Sequence, residues 1–218
     1  MQIFHHSSNV VAKVSILGLG LLAATIGGAV WVLLGSSYAT REGITIHQPI
    51  PFSHDHHVAG LGIDCRYCHT SVEQSSSAGM PSSETCYNCH KEIWTNADML
   101  EPVRASVREN VPIEWNRVHD LPDFVYFNHA VHVAKGVGCV TCHGQVDRMP
   151  LVYQEASLSM QWCLDCHQDP AKNLRPKEEV FNLNWQPPAD PEQAKLLRAN
   201  LVQEYNVKSL TSCSTCHR

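Results

Sequence analysis

The chain has 218 residues, a formal net charge of −5 and only 17% charged residues. An acidic balance of this kind gives no expectation of a nucleic-acid partner, and it suits a basic docking protein as well as it suits plain solvation. Roughly 170 residues follow the apolar amino terminus, about 35 for each of the five cysteine pairs described below, so the chain can build only a thin core of its own.

The first expected element is a transmembrane helix. Val14 to Leu34 carries no charge and is rich in Leu, Ile, Val, Gly and Ala. Roughly 20 such residues span a bilayer core of about 30 Å. The run is longer than the apolar core of a signal peptide, so a retained anchor is expected. Gly18, Gly20, Ala24 and Gly28 would let another helix approach closely, although small residues also occur on helices that face only lipid. Lys13 and Arg41 flank the run on opposite sides, so charge does not orient it.

Beyond the anchor the chain repeats itself. Phe52-Ser53-His54-Asp55-His56-His57-Val58-Ala59 matches Phe127-Asn128-His129-Ala130-Val131-His132-Val133-Ala134, and each leads through glycine into a Cys-x-x-Cys-His motif. The motifs are Cys65-Arg66-Tyr67-Cys68-His69, Cys86-Tyr87-Asn88-Cys89-His90, Cys139-Val140-Thr141-Cys142-His143, Cys163-Leu164-Asp165-Cys166-His167 and Cys213-Ser214-Thr215-Cys216-His217, and they account for all ten cysteines. Two thiols at this spacing add across the vinyl groups of one porphyrin, and the adjacent histidine ligates its iron. Zinc sites would pair the motifs and leave one over. Disulfides would make five histidines a coincidence. Five covalently bound haem c groups are therefore expected, supplying most of the apolar core. The fold class that follows is mostly irregular backbone with short α-helices: one amino-terminal transmembrane helix plus a multihaem domain.

The motifs name the proximal ligands His69, His90, His143, His167 and His217. Among the remaining histidines, His54 with His57 and His129 with His132 lie one helical turn apart, so each pair can serve two neighbouring haems. His119 makes a fifth distal candidate. His47 and His56 have no counterpart in the repeat and are read as surface or core residues. Methionine is the other possible sixth ligand, and Met149 or Met160 is an alternative to histidine at the fourth haem, in which case one of the five distal histidines is structural.

The organisation expected is an anchor with a cytoplasmic tip over residues 1–40 and a periplasmic haem domain over 41–218. That domain holds two-haem modules at about 50–110 and 111–170 and a tail, 171–218, with the fifth haem. Haem attachment takes place outside the bacterial cytoplasmic membrane, which puts His5 and His6 on the cytoplasmic side, solvated or facing a partner. From Glu92 to Asp120 a broken helix gives way to extended chain, with Ile113, Trp115, Arg117 and His119 on one side at period two. Residues 171–190 read as a charged, proline-bearing surface loop. Asp190-Pro191 then caps a helix near 191–205 whose Ala194, Leu197 and Leu201 share a face and pack on a haem or a partner subunit.

The Phe-x-His-x-x-His lead into each module resembles the class III multihaem cytochromes. A wider string runs from Pro112-Ile113-Glu114-Trp115 through Val118-His119-Asp120-Leu121-Pro122 and Val125-Tyr126-Phe127-Asn128-His129 to Cys142-His143-Gly144 and Ser159-Met160-Gln161-Trp162-Cys163. With the anchor and five haems, it resembles the pentahaem cytochrome c subunit of bacterial alternative complex III. That resemblance implies a non-catalytic electron relay on the periplasmic side of the inner membrane. It also implies partners: an iron–sulfur, molybdopterin-oxidoreductase-like subunit, polytopic quinol-binding subunits, and a monohaem cytochrome c or other periplasmic acceptor such as a terminal oxidase. The first rival is a small tetrahaem quinol dehydrogenase feeding a periplasmic reductase, in which the first haem motif follows the anchor more closely than Cys65 follows Leu34. The second rival, a catalytic reductase acting for example on nitrite, needs an open iron, whereas enough histidines exist here to close every site. A purely structural or haem-storage role gains nothing from the sequence.

Overall fold

The computed structural model describes residues 4–217 and divides after Glu42 into two compact units. The first unit holds α1 (Ser7–Leu34) and the short α2 (Ser37–Thr40). α1 runs for 28 residues and buries none of them, because its apolar side chains point to every side. It begins seven residues before the uncharged run does, since Lys13 continues a helix about as readily as leucine does. Its length and composition suffice to cross a membrane and fit a membrane anchor or a signal sequence.

The second unit contains no strand among the described residues, only the isolated bridges Thr45–Tyr153, Val125–His217 and Val137–Leu174. Its backbone is a succession of short helical turns and irregular connections. Four 3-10 turns aside, in chain order they are a π-turn (Asp55–Gly60), α3 (Cys65–Cys68), α4 (Ser83–His90), α5 (Glu101–Glu109), α6 (His129–Ala134), α7 (Val140–His143), α8 (Met160–Gln168), α9 (Pro191–Glu204) and α10 (Cys213–Cys216). The expected class, short helices in mostly irregular chain behind one apolar helix, is the class observed.

The polypeptide's own core is small, as the length argument requires. Ile50, Leu100 and Val103 form one cluster, with Cys86, Tyr87, Ile113 and Trp115 packed against it. The alternation expected from Ile113 holds through Asn116 and then breaks. Arg117 turns out to solvent and pairs with Asp120 at 3.0 Å, while Val118 is half-buried. Leu174, Leu201 and Tyr205 form the second cluster, joined by Leu197. α9 begins at Pro191, and Asp190 caps it by accepting the Glu192 N–H at 2.9 Å. Ala194 and Leu201 are buried beneath it.

Residues 171–190 are not the surface loop expected. Leu174, Arg175, Val180 and Leu183 are all buried, Val180 completely. Sequence polarity misleads here because Arg175 is a packing residue. Its guanidinium lies 5.0 Å from the Trp185 ring centre and donates to the Asn182 carbonyl at 3.0 Å. Its backbone N–H donates to Gly136 O at 2.9 Å. The loop covers the third motif, and the Val180 carbonyl accepts the Cys139 N–H at 3.1 Å.

Candidate haem-binding centres

Each Cys-x-x-Cys-His motif lies on or within a helical turn. The His69 N–H bonds the Cys65 carbonyl, His143 that of Cys139 and His217 that of Cys213, each at 2.9 Å. One turn of helix thus carries both thiols and the imidazole on one side. None of the ten cysteines is in a disulfide. Burial pushes the Cys139 thiol up to about 11 and the Cys142 thiol up to about 12. It also raises Cys65, Cys68, Cys86 and Cys163. A redox-active dithiol needs the opposite shift, so burial disfavours thiolate chemistry at these thiols.

Four motif histidines each face a second imidazole. The ring centres of His54 and His69 are 6.5 Å apart with planes 2° from parallel. His129 and His143 repeat this arrangement at 6.4 Å and 11°. His57 faces His90 at 6.2 Å and 64°, and His132 faces His167 at 6.2 Å and 64°. The repeated phenylalanine sets the distal rings. Phe52 meets His54 edge-on at 4.9 Å and stacks on His57 at 4.4 Å. Phe127 does the same to His129 at 4.7 Å and to His132 at 4.5 Å.

The outer nitrogens complete the geometry. Nδ1–H donates to a backbone carbonyl from His57 (Ser53, 2.8 Å), His69 (Gly79, 2.9 Å), His90 (Ile93, 3.2 Å), His129 (Ser76, 2.8 Å), His132 (Asn128, 2.7 Å), His167 (Leu210, 3.0 Å) and His217 (Phe124, 3.1 Å). A ring held this way keeps the Nε2 lone pair free for a metal and fixes the tautomer. Burial, followed by the neighbouring His69 and His57, pushes His54 down to about 4. Burial and then His119 push His143 down to about 3. Both rings therefore stay neutral, the form that binds iron.

The other candidates fall elsewhere. His119 Nε2 lies 3.2 Å from His143 Nδ1, with the two rings edge-to-face at 4.4 Å. The structure thus brings His119 behind a motif histidine. His217 has Phe124 at 5.7 Å, and among the described residues no imidazole lies opposite it. Met149 is buried beside the first module's distal turn, where its carbonyl accepts the Asp55 N–H at 3.3 Å. Met160, at the start of α8, is 68% exposed. His56 stacks on Trp94 at 5.9 Å, and the His47 carbonyl accepts from Asn116 at 2.7 Å. His5 bonds the Ser7 hydroxyl at 2.8 Å, and His6 is exposed beside it. Sequence reasoning missed the carbonyl acceptors, because backbone groups leave no trace in residue identity. The two phenylalanines were visible in the repeat, but their stacking role was not.

The facing pairs fit the group that the motifs imply. Two metal–nitrogen bonds of about 2 Å each, on opposite sides of one iron, put imidazole ring centres roughly 6 Å apart. Comparison with known proteins agrees. The family model described as cytochrome c7 and related cytochrome c matches residues 50–103 and 125–218. A protein of Nitratidesulfovibrio vulgaris (strain Hildenborough), "Menaquinone reductase, multiheme cytochrome c subunit", is 29% identical over 170 residues, covering 68% of this chain and 78% of that protein. His119 lies between the two matched stretches.

Proposed function

We propose, from the premise that this chain belongs to the cytochrome c7 and related cytochrome c family, that it binds five haem c groups as the electron-relay subunit of a membrane quinol-oxidising complex of the alternative complex III type. The observation that carries the reading is the set of four facing imidazole pairs, two in each repeat, at 6.2–6.5 Å. His54/His69, His57/His90, His129/His143 and His132/His167 would each hold one iron from both sides. His217 would hold the fifth from one side. When bound, haem iron supplies one-electron chemistry at a potential set by its ligands and surroundings. With haem bound, those four pairs would close four of the centres to a small substrate, and the Arg175 loop covers the third motif.

In this reading residues 1–40 anchor the chain with His5 and His6 on the cytoplasmic side, and residues 41–218 work in the periplasm. Its partners are the iron–sulfur and polytopic quinol-binding subunits and a periplasmic acceptor. The relative named as a menaquinone reductase subunit favours a second reading, the same wire running toward the quinone instead of away from it. The rival quinol dehydrogenase feeding a periplasmic reductase keeps the wire but changes its partners.

Purification of the native complex from membranes, with haem staining and identification of every co-purifying chain, tests this. A large iron–sulfur subunit and polytopic quinol-binding subunits, with quinol reducing the haems faster than reduced haems return electrons to quinone, support the first reading. Reversed kinetics transfer support to the second. Co-purification with a periplasmic reductase alone sinks the complex assignment.

A further inference from the structure

We infer that the five haem-binding turns form a single series in the order second, first, third, fourth, fifth, with electrons crossing between the modules from the first motif to the third. The inference rests on the relay reading and adds its path. Each link stands on a contact.

The second and first motifs are joined through one turn, whose His57 and His54 face His90 and His69. The third and fourth are joined the same way through α6, whose His129 and His132 face His143 and His167. Between modules, Arg66 inside the first motif lays its guanidinium 4.6 Å from the Phe181 ring centre. The adjoining Val180 carbonyl accepts the Cys139 N–H of the third motif at 3.1 Å. From the other side, the loop after the first motif grips the distal turn of the second module. Ser76 O accepts from both the N–H and Nδ1–H of His129, at 3.2 and 2.8 Å, and Ser75 O accepts the Ala130 N–H at 3.1 Å. The fourth motif meets the fifth through the segment just before Cys213. Leu210 O accepts from His167 Nδ1 at 3.0 Å, and the Ser209 hydroxyl donates to His167 O at 2.9 Å.

With haem bound, each link would carry one electron, the donor centre being oxidised as its neighbour is reduced, with no proton or bond exchanged. Quinol supplies the electrons and a periplasmic oxidant removes them. Entry and exit then belong to the second and fifth centres. Beside the second stands the exposed Trp94, 6.4 Å from His90.

The test uses the haem-loaded membrane complex. Cryo-electron microscopy should find the irons of motifs two and one, one and three, three and four, and four and five as nearest neighbours. A closest inter-module pair other than one and three overturns the order. In the same complex, Cys139→Ala with Cys142→Ala removes an interior centre, so rapid reduction by quinol should reach two of the four remaining haems, while dithionite reduces all four. Rapid quinol reduction of all four overturns the series. Should the chain co-purify with no quinol-binding subunit, the complex assignment fails, and the iron positions still decide the order.

Discussion

The two modules share their inner geometry and differ in what stands behind it. In both, the phenylalanine meets the first distal histidine edge-on and stacks on the second, and the first imidazole pair is nearly parallel while the second is crossed at 64°. Ile63 and Val137 each bond the carbonyl of the second distal histidine, at 3.1 and 3.0 Å. Behind these rings the modules diverge. His129 donates to Ser76, whereas Nδ1 of His54, its counterpart, is buried without a partner. His69 donates to the Gly79 carbonyl, whereas His143 meets the imidazole of His119. Short repeated sequence sets the facing imidazole pairs, and unrepeated sequence sets what stands behind them, where hydrogen bonds to the outer nitrogen of a ligating imidazole tune a metal site.

The largest expected effect comes from removing a distal ring. His129→Ala or His54→Ala should convert one haem from low-spin to high-spin, read as loss of one set of low-spin signals in electron paramagnetic resonance. His129→Met should restore six-coordination at a raised potential. An unchanged low-spin count in either alanine variant would remove that histidine from the ligand set.

The shared left-handed glycine gives the next effect. Gly62 and Gly136 both have positive φ, 70° and 76°. A Cβ at Gly62 meets nothing within 4 Å, but at Gly136 it would lie 2.6 Å from Arg175 O and 2.7 Å from the Tyr205 ring. Gly62→Ala should therefore cost only backbone strain, about 1–2 kcal/mol, while Gly136→Ala adds overpacking of about 1–3 kcal/mol. Thermal unfolding of the haem-loaded chain measures both. Equal losses would mean that the Arg175 loop yields to the new methyl.

These positions also show what the sequence could and could not disclose. The five motifs, the repeat, α9 and its Asp190 cap, and the scarcity of core are local or compositional, so they are legible in residue order. The pairing of His54 with His57 on one turn follows from spacing alone. The burial of Arg175 does not, because an arginine among prolines reads as surface until its carbonyl acceptors at Asn182 and Glu179 are known. His119 shows the same limit: the count of histidines makes it a distal candidate, and only the fold shows its Nε2 3.2 Å from His143 Nδ1.

His119 carries a smaller effect that separates these two roles. As the partner of His143, its replacement by alanine should leave the low-spin count intact and move the potential of one centre. His119→Gln, which keeps an acceptor, should recover most of the shift. Appearance of a high-spin haem in His119→Ala would instead make it the sixth ligand of the fifth centre.

The smallest effect belongs to a cap that only the first module has. Asp64 precedes Cys65 and accepts the Arg66 N–H at 2.8 Å, and its carboxylate also pairs with the Arg66 guanidinium at 2.8 Å. Gly138 stands in its place before Cys139, so the third motif has no such cap. Losing it in Asp64→Ala should cost about 1 kcal/mol, and Asp64→Asn, which still accepts from the backbone, should cost less. The ion pair is about half exposed, 49% and 48%, so its own share is small. Hydrogen bonding to Arg66 holds the Asp64 carboxyl down at about 2, below its ordinary value near 4. Because the folded value is the lower one, the stabilisation is complete above about pH 4 and fades as pH falls through about 2. Thermal midpoints should thus separate wild type from Asp64→Asn at pH 7 and bring them together near pH 2, while Asp64→Ala stays below both. If Asn and Ala lose equally at pH 7, the cap contributes nothing and the ion pair alone carries the difference between the modules.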